Sequence, residues 1–343
     1  MRQLEIGGQK IGDGQPVFII AEAADSHLGR METAREMIRQ SKLAGASCIK
    51  FQHHLPDEEM VPECMPMSDN FKEPLYDFLK RNALTLQQHK ELMAYCRDID
   101  IIYLCTPFSY KAAQELKSIG LGSFKIGSGE FTDLTSLEKI VALGNPMILS
   151  TGMSTLEEIQ ETYNAMKRGK ASFAFMNCVS EYPPLYEEMN IGVIQTLLNG
   201  YPDIVIGHSD HSPDLYTSFA AVALGAKIIE KHITLDKRSP GPDQSVSIDM
   251  QDLTHLVDGI RKIEASLGHE KKIQAREMQI RKWAFRSIVT TREISAGTVL
   301  TKEMLWTKRP GTGIPSRELP QFIGRKTKRT LKNNTLLKRE DIE

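Results

Sequence analysis

Lysines, histidines and hydroxyl side chains recur in this sequence at the ends of short apolar runs that lie tens of residues apart. They are Lys50 with Gln52, Thr106 with Ser109, Lys125 with Ser128 and Glu130, Ser150 with Thr151, Ser180 with Tyr182, His208 through His211, and Glu230 with His232. Glu22 closes the first such run. Side chains alternate along a strand, so Lys50 and Gln52 share a face, as do Glu230 and His232. Two ammonium groups turned into one space repel unless an anion sits between them, and Ser and Thr hydroxyls donate well to phosphate or carboxylate oxygens. The pattern describes a site for a small polyanion; the blander alternative makes each lysine a solvated strand end.

His211 and His232 form a candidate metal pair, because neutral imidazole binds divalent transition metals. With two protein nitrogens, water and substrate oxygens would complete the shell and leave positions open for catalysis. A single histidine is more often structural, so the pair counts only together. His208 would support the pair or meet substrate. His27, His53 and His54 are weaker candidates, and the last two read equally as exposed loop residues. Gly127, Gly129 and Gly152 read as glycines easing tight turns, since an isolated Gly-Ser-Gly is weak evidence for phosphate. Met60, Met65 and Met67 read as fillers of irregular gaps.

Such tips meet only if the runs behind them are neighbouring strands. Eight runs rich in Val, Ile and Phe occur at 17–23, 48–52, 101–108, 123–130, 146–152, 173–180, 203–210 and 227–235. Segments between them, such as METAREMIRQSKLAGA and TLEEIQETYNAMKRG, carry apolar residues three and four apart. This alternation predicts a parallel sheet with right-handed crossovers. Eight units, with no Gly-rich nucleotide loop after the first strand, favour an α/β fold of the closed (β/α)8 TIM-barrel type over an open sheet. In that barrel the polar tips share the C-terminal mouth. LEIGGQKIG, with Gly-Gly between two alternating stretches, predicts a hairpin able to plug the opposite end. The proline-containing segment 53–73 reads as a lid-like loop.

After residue 268 a charged stretch, HEKKIQAREMQIRK, leads to strand-like pieces, RSIVTTREI, TVLTKEMLWTKR and TLLKREDI. We therefore expect a barrel over 1–275 and a small unit over 284–343, too short for a large core of its own and placed on the barrel or a partner chain. The 43 basic and 44 acidic side chains nearly cancel, which excludes a global field toward nucleic acid or anionic lipid. The five cysteines include no CxxC pair, and no apolar stretch approaches a signal peptide or membrane span. A cytoplasmic protein acting on a small ligand is the expectation.

Taken in order, the motifs resemble the sialic acid synthase family of N-acetylneuraminate, legionaminate and pseudaminate synthases. They are KFQ at 50–52, TPFS at 106–109, KIGSGE at 125–130, ILSTGM at 148–153, EYPP at 181–184, IGHSDH at 206–211, ALGAKIIEKHITLDK at 223–237 and GPDQSVS at 241–247. KRPGTGIP at 308–315 is similar to the family's C-terminal antifreeze-like, SAF-type domain. Ser26 and Ser180 stand where members often carry Asn.

The resemblance implies condensation of phosphoenolpyruvate with an N-acetylated amino sugar, either N-acetylmannosamine or a 2,4-diacetamido-trideoxyhexose. It implies that Lys50, Thr106, Lys125, Ser128, Ser150 and Ser209 hold phosphoenolpyruvate, with Ser180 near the phosphate. Gln52, Glu130, Tyr182 and Asp243 would contact the sugar. Glu22 would serve the chemistry, and His211 and His232 would bind a divalent metal, usually Mn2+, with Mg2+ or Co2+ as substitutes. Arg309 would reach the active site of the partner subunit in a domain-swapped homodimer. The competing readings are a phosphoenolpyruvate aldol synthase acting on a sugar phosphate and a non-catalytic sugar-binding protein.

Overall fold

The computed structural model describes residues 1–64, 73–239 and 241–343. The chain opens with an antiparallel hairpin, β1 (Gln3–Ile6) and β2 (Gln9–Gly12), turning at Gly7 and Gly8. Their φ values of 57° and 83° lie in the left-handed region that glycine enters without a Cβ clash.

Each of the eight predicted runs becomes a barrel strand: β3 (Phe18–Glu22), β4 (Cys48–His53), β5 (Ile102–Pro107), β6 (Phe124–Ile126), β7 (Met147–Ser150), β8 (Phe173–Cys178), β9 (Val205–Asp210) and β10 (Ile228–His232). They pair in chain order, all parallel, and β10 closes on β3 with His232 opposite Glu22. The fourth strand is shorter than its run, so Ser128 and Glu130 stand on the turn that follows it.

The helices are α1 (Met31–Ala44), α2 (Pro56–Glu59), α3 (Leu75–Asn82), α4 (Leu86–Asp98), α5 (Tyr110–Ser118), α6 (Leu134–Val141), α7 (Leu156–Arg168), α8 (Val193–Gly200), α9 (Tyr216–Ala223) and α10 (Met250–Ser266). Local sequence sets their ends. Thr85 with Gln88 and Thr155 with Glu158 form capping boxes, and Ser109 accepts from the Ala112 amide. In α1 the buried residues Ala34, Met37, Ile38 and Ser41 fall three and four apart, giving one face to the strands.

Strand alternation divides the interior into two heights. At the hairpin end, Phe18, Ile20, Cys48, Leu104, Ile148, Ala174, Met176, Val205 and Ile228 pack with Leu4, Ile6 and Ile11 of the hairpin. Two residues further along the same inward rows, or four from Val205 in β9, the chemistry changes, to Glu22, Lys50, Thr106, Ser150, Cys178, Ser209 and Glu230. The apolar plug thus forms a dry floor under a polar mouth. Outward rows, including Ile19, Ile49, Leu149, Phe175, Ile206 and Ile229, pack against the helices.

The chain divides into Met1–Leu267 and Gly268–Glu343. The second unit contains α11 (Glu277–Ala284) and an antiparallel pair, β11 (Ser287–Thr290) and β12 (Leu305–Lys308). Its core gathers Ile288, Ile294, Leu300, Leu305, Phe322, Leu331 and Leu337. The third strand-like piece is no strand: it contributes single bridges, Leu336 to Val289 and Ile342 to Thr327, around a short 3-10 turn. Of the segment read as a lid, residues 65–72, with Met65 and Met67, lie outside the described residues; Met60 is half-buried. Among the described residues no helix is long and apolar enough to cross a membrane.

Ile6 is fully buried in the floor. Ile6→Ala should lower the unfolding free energy by about 2–5 kcal/mol in a urea titration, the range for a buried Ile deletion. An unchanged midpoint would show that the hairpin is not part of this core.

Candidate active site

Four charged side chains from four strands meet above the floor. Lys50 Nζ lies 2.8 Å from Glu22 Oε2 and donates to Thr106 Oγ1 at 3.0 Å. Lys125 Nζ donates to Ser150 Oγ at 2.6 Å and to the Ile126 carbonyl at 3.2 Å. Both ammonium groups stand 3.7 Å from Glu230 Oε1, which also accepts from Ser209 Oγ at 3.0 Å. Gln52 donates to Glu22 Oε1 at 2.9 Å.

Lys50, Lys125, Glu22 and Glu230 are each at most 3% exposed, so their protonation follows from burial and from one another. Burial acts to raise Glu230, but Lys125 and Lys50 hold its carboxyl below the ordinary value. At Glu22 burial wins and the carboxyl is raised toward its neutral form. Burial lowers Lys125, whereas the same effect at Lys50 is outweighed by Glu22 and Glu230 and the value rises. Two cations therefore face one firmly ionised carboxylate and one carboxyl biased toward neutrality, an excess of positive charge suited to an anion. The lysine repulsion noted in the sequence is partly resolved by Glu230, a bridging role the sequence did not reveal.

These groups line a cavity of about 310 Å3 with Gln52, Phe108, Ser128, Glu130, Met153, Cys178, Ser180, Tyr182, His211 and His232. Two glycines make room in it. A Cβ on Gly152 would come 2.3 Å from Ser180 Oγ and 2.6 Å from Ser128 Oγ, and one on Gly127 would come 2.5 Å from Glu130 Oε2. Neither glycine has a positive φ, so the turn-easing reading of these two is corrected: their hydrogens let hydroxyls and a carboxylate close over the backbone. Ser128, Ser150, Ser180 and Lys125 line this cavity together, hydroxyl and ammonium donors of the type that phosphate or carboxylate oxygens accept from. A larger hollow of about 750 Å3 lies beside the hairpin turn, against Lys42, Arg97 and Asp100, and holds none of the candidate residues.

The His211 and His232 rings stand 5.3 Å apart at the mouth. His211 Nδ1 lies 2.7 Å from the Val179 carbonyl, which can only accept, so Nδ1 carries the proton in this contact and the neutral ring keeps its lone pair on Nε2. Tyr182 OH lies 3.2 Å from that Nε2. Burial holds His232 well below the ordinary histidine value, and its buried Nδ1 has no hydrogen-bond partner among the described residues. Asp243 Oδ2 is 3.9 Å from that nitrogen, its carboxyl pushed up to about 7 by burial and by Asp25 and Glu22. At His211 burial is outweighed by Cys178, whose Sγ is 3.9 Å from Nδ1, and the value rises. Among the described residues no three His, Cys, Asp or Glu side chains gather into a metal cluster. The donor chemistry fits a divalent ion held by two imidazoles and otherwise by non-protein oxygens.

Several sequence candidates lie elsewhere. His27, His53 and His54 are buried, so the exposed-loop reading of His53 and His54 fails. His54 bridges Gln52 Oε1 and Glu59 Oε2 at 2.9 Å each, continuing the chain from Glu22, and His53 contacts Glu115 at 3.0 Å. His208 and Asp210 fall on the outward row of β9; His208 Nδ1 contacts the Asn177 carbonyl at 3.1 Å. Thr151 donates to the Met176 carbonyl, and Ser109 caps α5. Arg309, in the second unit, places its guanidinium 5.5 Å from the Trp283 ring centroid. Phe108, Met153 and Cys178 were missed; Cys178 stands two residues before Ser180, the spacing that signals a shared face.

A closed (β/α)8 barrel thus gathers lysines, hydroxyls and an imidazole pair at its C-terminal mouth, the end where barrels of this type carry their catalytic sites. The chain belongs to the NeuB family, matched over residues 37–272, and carries a SAF domain over 285–343. It is 35% identical to an uncharacterized protein of Methanocaldococcus jannaschii, covering 100% of this chain and 99% of the other. It is 34% identical to the N-acetylneuraminate-9-phosphate synthase of Mus musculus, covering 98% and 95%. The crystal structure of the N-acetylneuraminic acid synthetase of Leptospira borgpetersenii in complex with citrate superposes with a TM-score of 0.73 at 34% identity, covering 81% of this chain and 95% of that one. The family is thus that of sialic and related nonulosonic acid synthases.

Burial pushes the Glu130 carboxyl up to about 7 from an ordinary 4.5. The folded state then binds more protons than the unfolded one between those values, so stability falls as pH rises through this window. Glu130→Gln should leave stability at pH 4 nearly unchanged and raise it at pH 8, by at most about 3 kcal/mol, in urea titrations. Equal effects at both pH values would place the Glu130 carboxyl in its ordinary range.

Proposed function

We propose that this protein condenses phosphoenolpyruvate with an uncharged N-acetylated amino sugar, giving a nonulosonic acid and inorganic phosphate. The observation that carries the reading is the buried Lys50 and Lys125 pair, with the hydroxyls packed over Gly152, in the same cavity as two imidazoles. Lys50, Thr106, Lys125, Ser128, Ser150, Ser180 and Ser209 bind the phosphate and carboxylate of phosphoenolpyruvate. Gln52, Glu130, Tyr182 and Asp243 orient the sugar.

C3 of the enol attacks the aldehyde carbon of the open-chain sugar; the new carbon-carbon bond forms as the carbonyl π bond breaks, and the resulting alkoxide is neutralised by the proton that Glu22 takes from water. C2 becomes electron-poor and takes up a water, whose proton passes to the carboxylate form of Glu22. Burial raises that carboxyl above its ordinary value, which makes its carboxylate form a stronger base. The tetrahedral C2 expels phosphate as its bond to the phosphate ester oxygen breaks, and the C2 hydroxyl gives its proton to the departing phosphate, leaving the ketone. His211 and His232 would hold a divalent ion, Mn2+ first with Mg2+ or Co2+ as substitutes, which supplies Lewis-acid polarisation of the aldehyde oxygen when bound.

Charge supports an uncharged acceptor. Among the described residues lining the cavity, Lys50 and Lys125 are the lysines, there is no arginine, and both are engaged at its floor. Toward the mouth stand the carboxyls of Glu130 and Asp243, and exposed Arg238 is paired with Asp236. A sugar phosphate would bring its dianion against these carboxyls. Arg309 in a domain-swapped homodimer completes the reading, its guanidinium fork suited to a carboxylate or a hydroxyl pair. The five free cysteines support a cytoplasmic location.

The test is phosphate release, with the product acid identified by mass spectrometry, from phosphoenolpyruvate plus N-acetylmannosamine, a 2,4-diacetamido-trideoxyhexose, N-acetylmannosamine 6-phosphate or arabinose 5-phosphate. Turnover is expected with an uncharged acetamido sugar, lost on chelation and restored by Mn2+. Turnover confined to a sugar phosphate supports the aldol-synthase alternative, and binding without turnover supports the sugar-binding one; either overturns the proposal.

A further inference from the structure

Directly before each mouth histidine stands one member of a buried ion pair. Asp210 precedes His211 and Lys231 precedes His232, and Asp210 and Lys231 are register partners in the β9 to β10 ladder. Because side chains alternate, His211 and His232 face the cavity while Asp210 and Lys231 face outward toward α9. Lys231 Nζ lies 3.3 Å from Asp210 Oδ1, and both side chains are fully buried.

Every polar atom of the pair is engaged. Asp210 Oδ1 accepts the Ser212 amide at 2.8 Å, while Oδ2 accepts Thr217 Oγ1 at 2.7 Å and Ser218 Oγ at 2.5 Å. Lys231 donates to the Ser212 carbonyl and, at 3.2 Å, to Ser212 Oγ, which contacts Thr217 Oγ1 at 2.8 Å. The network ties two strand ends, the loop leaving His211 and the first turn of α9 into one unit.

Stability alone is a poor reason for such a pair. Replacing a buried ion pair with apolar residues of similar volume is often neutral or stabilising, and most outward positions of this barrel are apolar. What directional bonds add is fixed geometry, here at the two strand ends whose next residues are the imidazoles.

We infer that the Lys231 and Asp210 network is a positioning device that sets the spacing and orientation of His211 and His232 for a shared divalent ion. The inference rests on the reading that these imidazoles bind that ion. Neither Lys231 nor Asp210 lines the cavity; they act through the backbone they anchor.

The test is Mn2+ binding to the full-length protein, followed by the electron paramagnetic resonance signal of free Mn2+, with phosphoenolpyruvate binding measured by calorimetry alongside. The double variant Lys231→Met with Asp210→Leu removes both charges together and so avoids a stranded buried ion. It should fold, bind phosphoenolpyruvate within about threefold of wild type, and bind Mn2+ about 10-fold or more weakly, the scale on which groups supporting a metal ligand act. Lys231→Arg, which keeps the ion pair, should recover most of that affinity. Folded double variant with Mn2+ affinity within twofold of wild type overturns the inference. If the double variant does not fold, Thr217→Val decides: it deletes one bond to Asp210, and a Kd raised about threefold supports the device, whereas an unchanged Kd overturns it. Absence of Mn2+ binding by the wild type, or binding untouched by His211→Ala, overturns the metal reading itself and this inference with it.

Discussion

Two ammonium groups are held inside the barrel of this protein, almost out of reach of water, and the rest of the site is arranged around that fact. An unpaired buried charge is prohibitively costly, so Lys50 and Lys125 need carboxylates, and Glu22 and Glu230 stand at 2.8 Å and 3.7 Å from them. The compensation is incomplete by design of the surroundings: burial biases Glu22 toward neutrality while the two lysines keep Glu230 ionised. A residual positive charge remains for an incoming anion. It lies where Ser128, Ser150 and Ser180 offer hydroxyls and where Gly152 has no side chain to occupy the space.

The dry floor and the histidines follow from the same architecture. The hairpin fills the far end with Leu4, Ile6 and Ile11, which excludes water from below and keeps the charges interacting in a low dielectric. Strand alternation then delivers polar groups to one height from segments scattered over the chain. At β9 and β10 it does two things at once: each inward histidine is paired with an outward charge, and those two charges bind one another behind the wall.

The fold was legible because its signals are local. Eight apolar runs, capped helices between them and a Gly-Gly hairpin are each visible within a dozen residues. The tail was less so: residues 335–342 look strand-like, yet they pair at single bridges only, since this small unit folds around scattered apolar contacts rather than a regular sheet. In the site, residue types identified Lys50, Lys125, His211 and His232, and these do converge on one cavity. Glu230 as a bridge and Gly152 as a cradle were hidden, because both depend on atoms brought close only when the barrel closes. Asp210 was placed at the mouth although alternation with Ser209 and His211 turns it outward. Period two should have outweighed position in the motif there.

The central claim is that the buried lysines and the glycine-floored hydroxyls form one anion site. It is tested most directly by a crystal structure of this protein with phosphoenolpyruvate bound. The expected result is a phosphoryl group on Ser128, Ser150 and Ser180, within hydrogen-bond distance of Lys125, with Lys50 on the same ligand. Phosphoenolpyruvate lodged in the hollow beside Gly7 and Gly8, or bound at the mouth without touching either lysine, would contradict it.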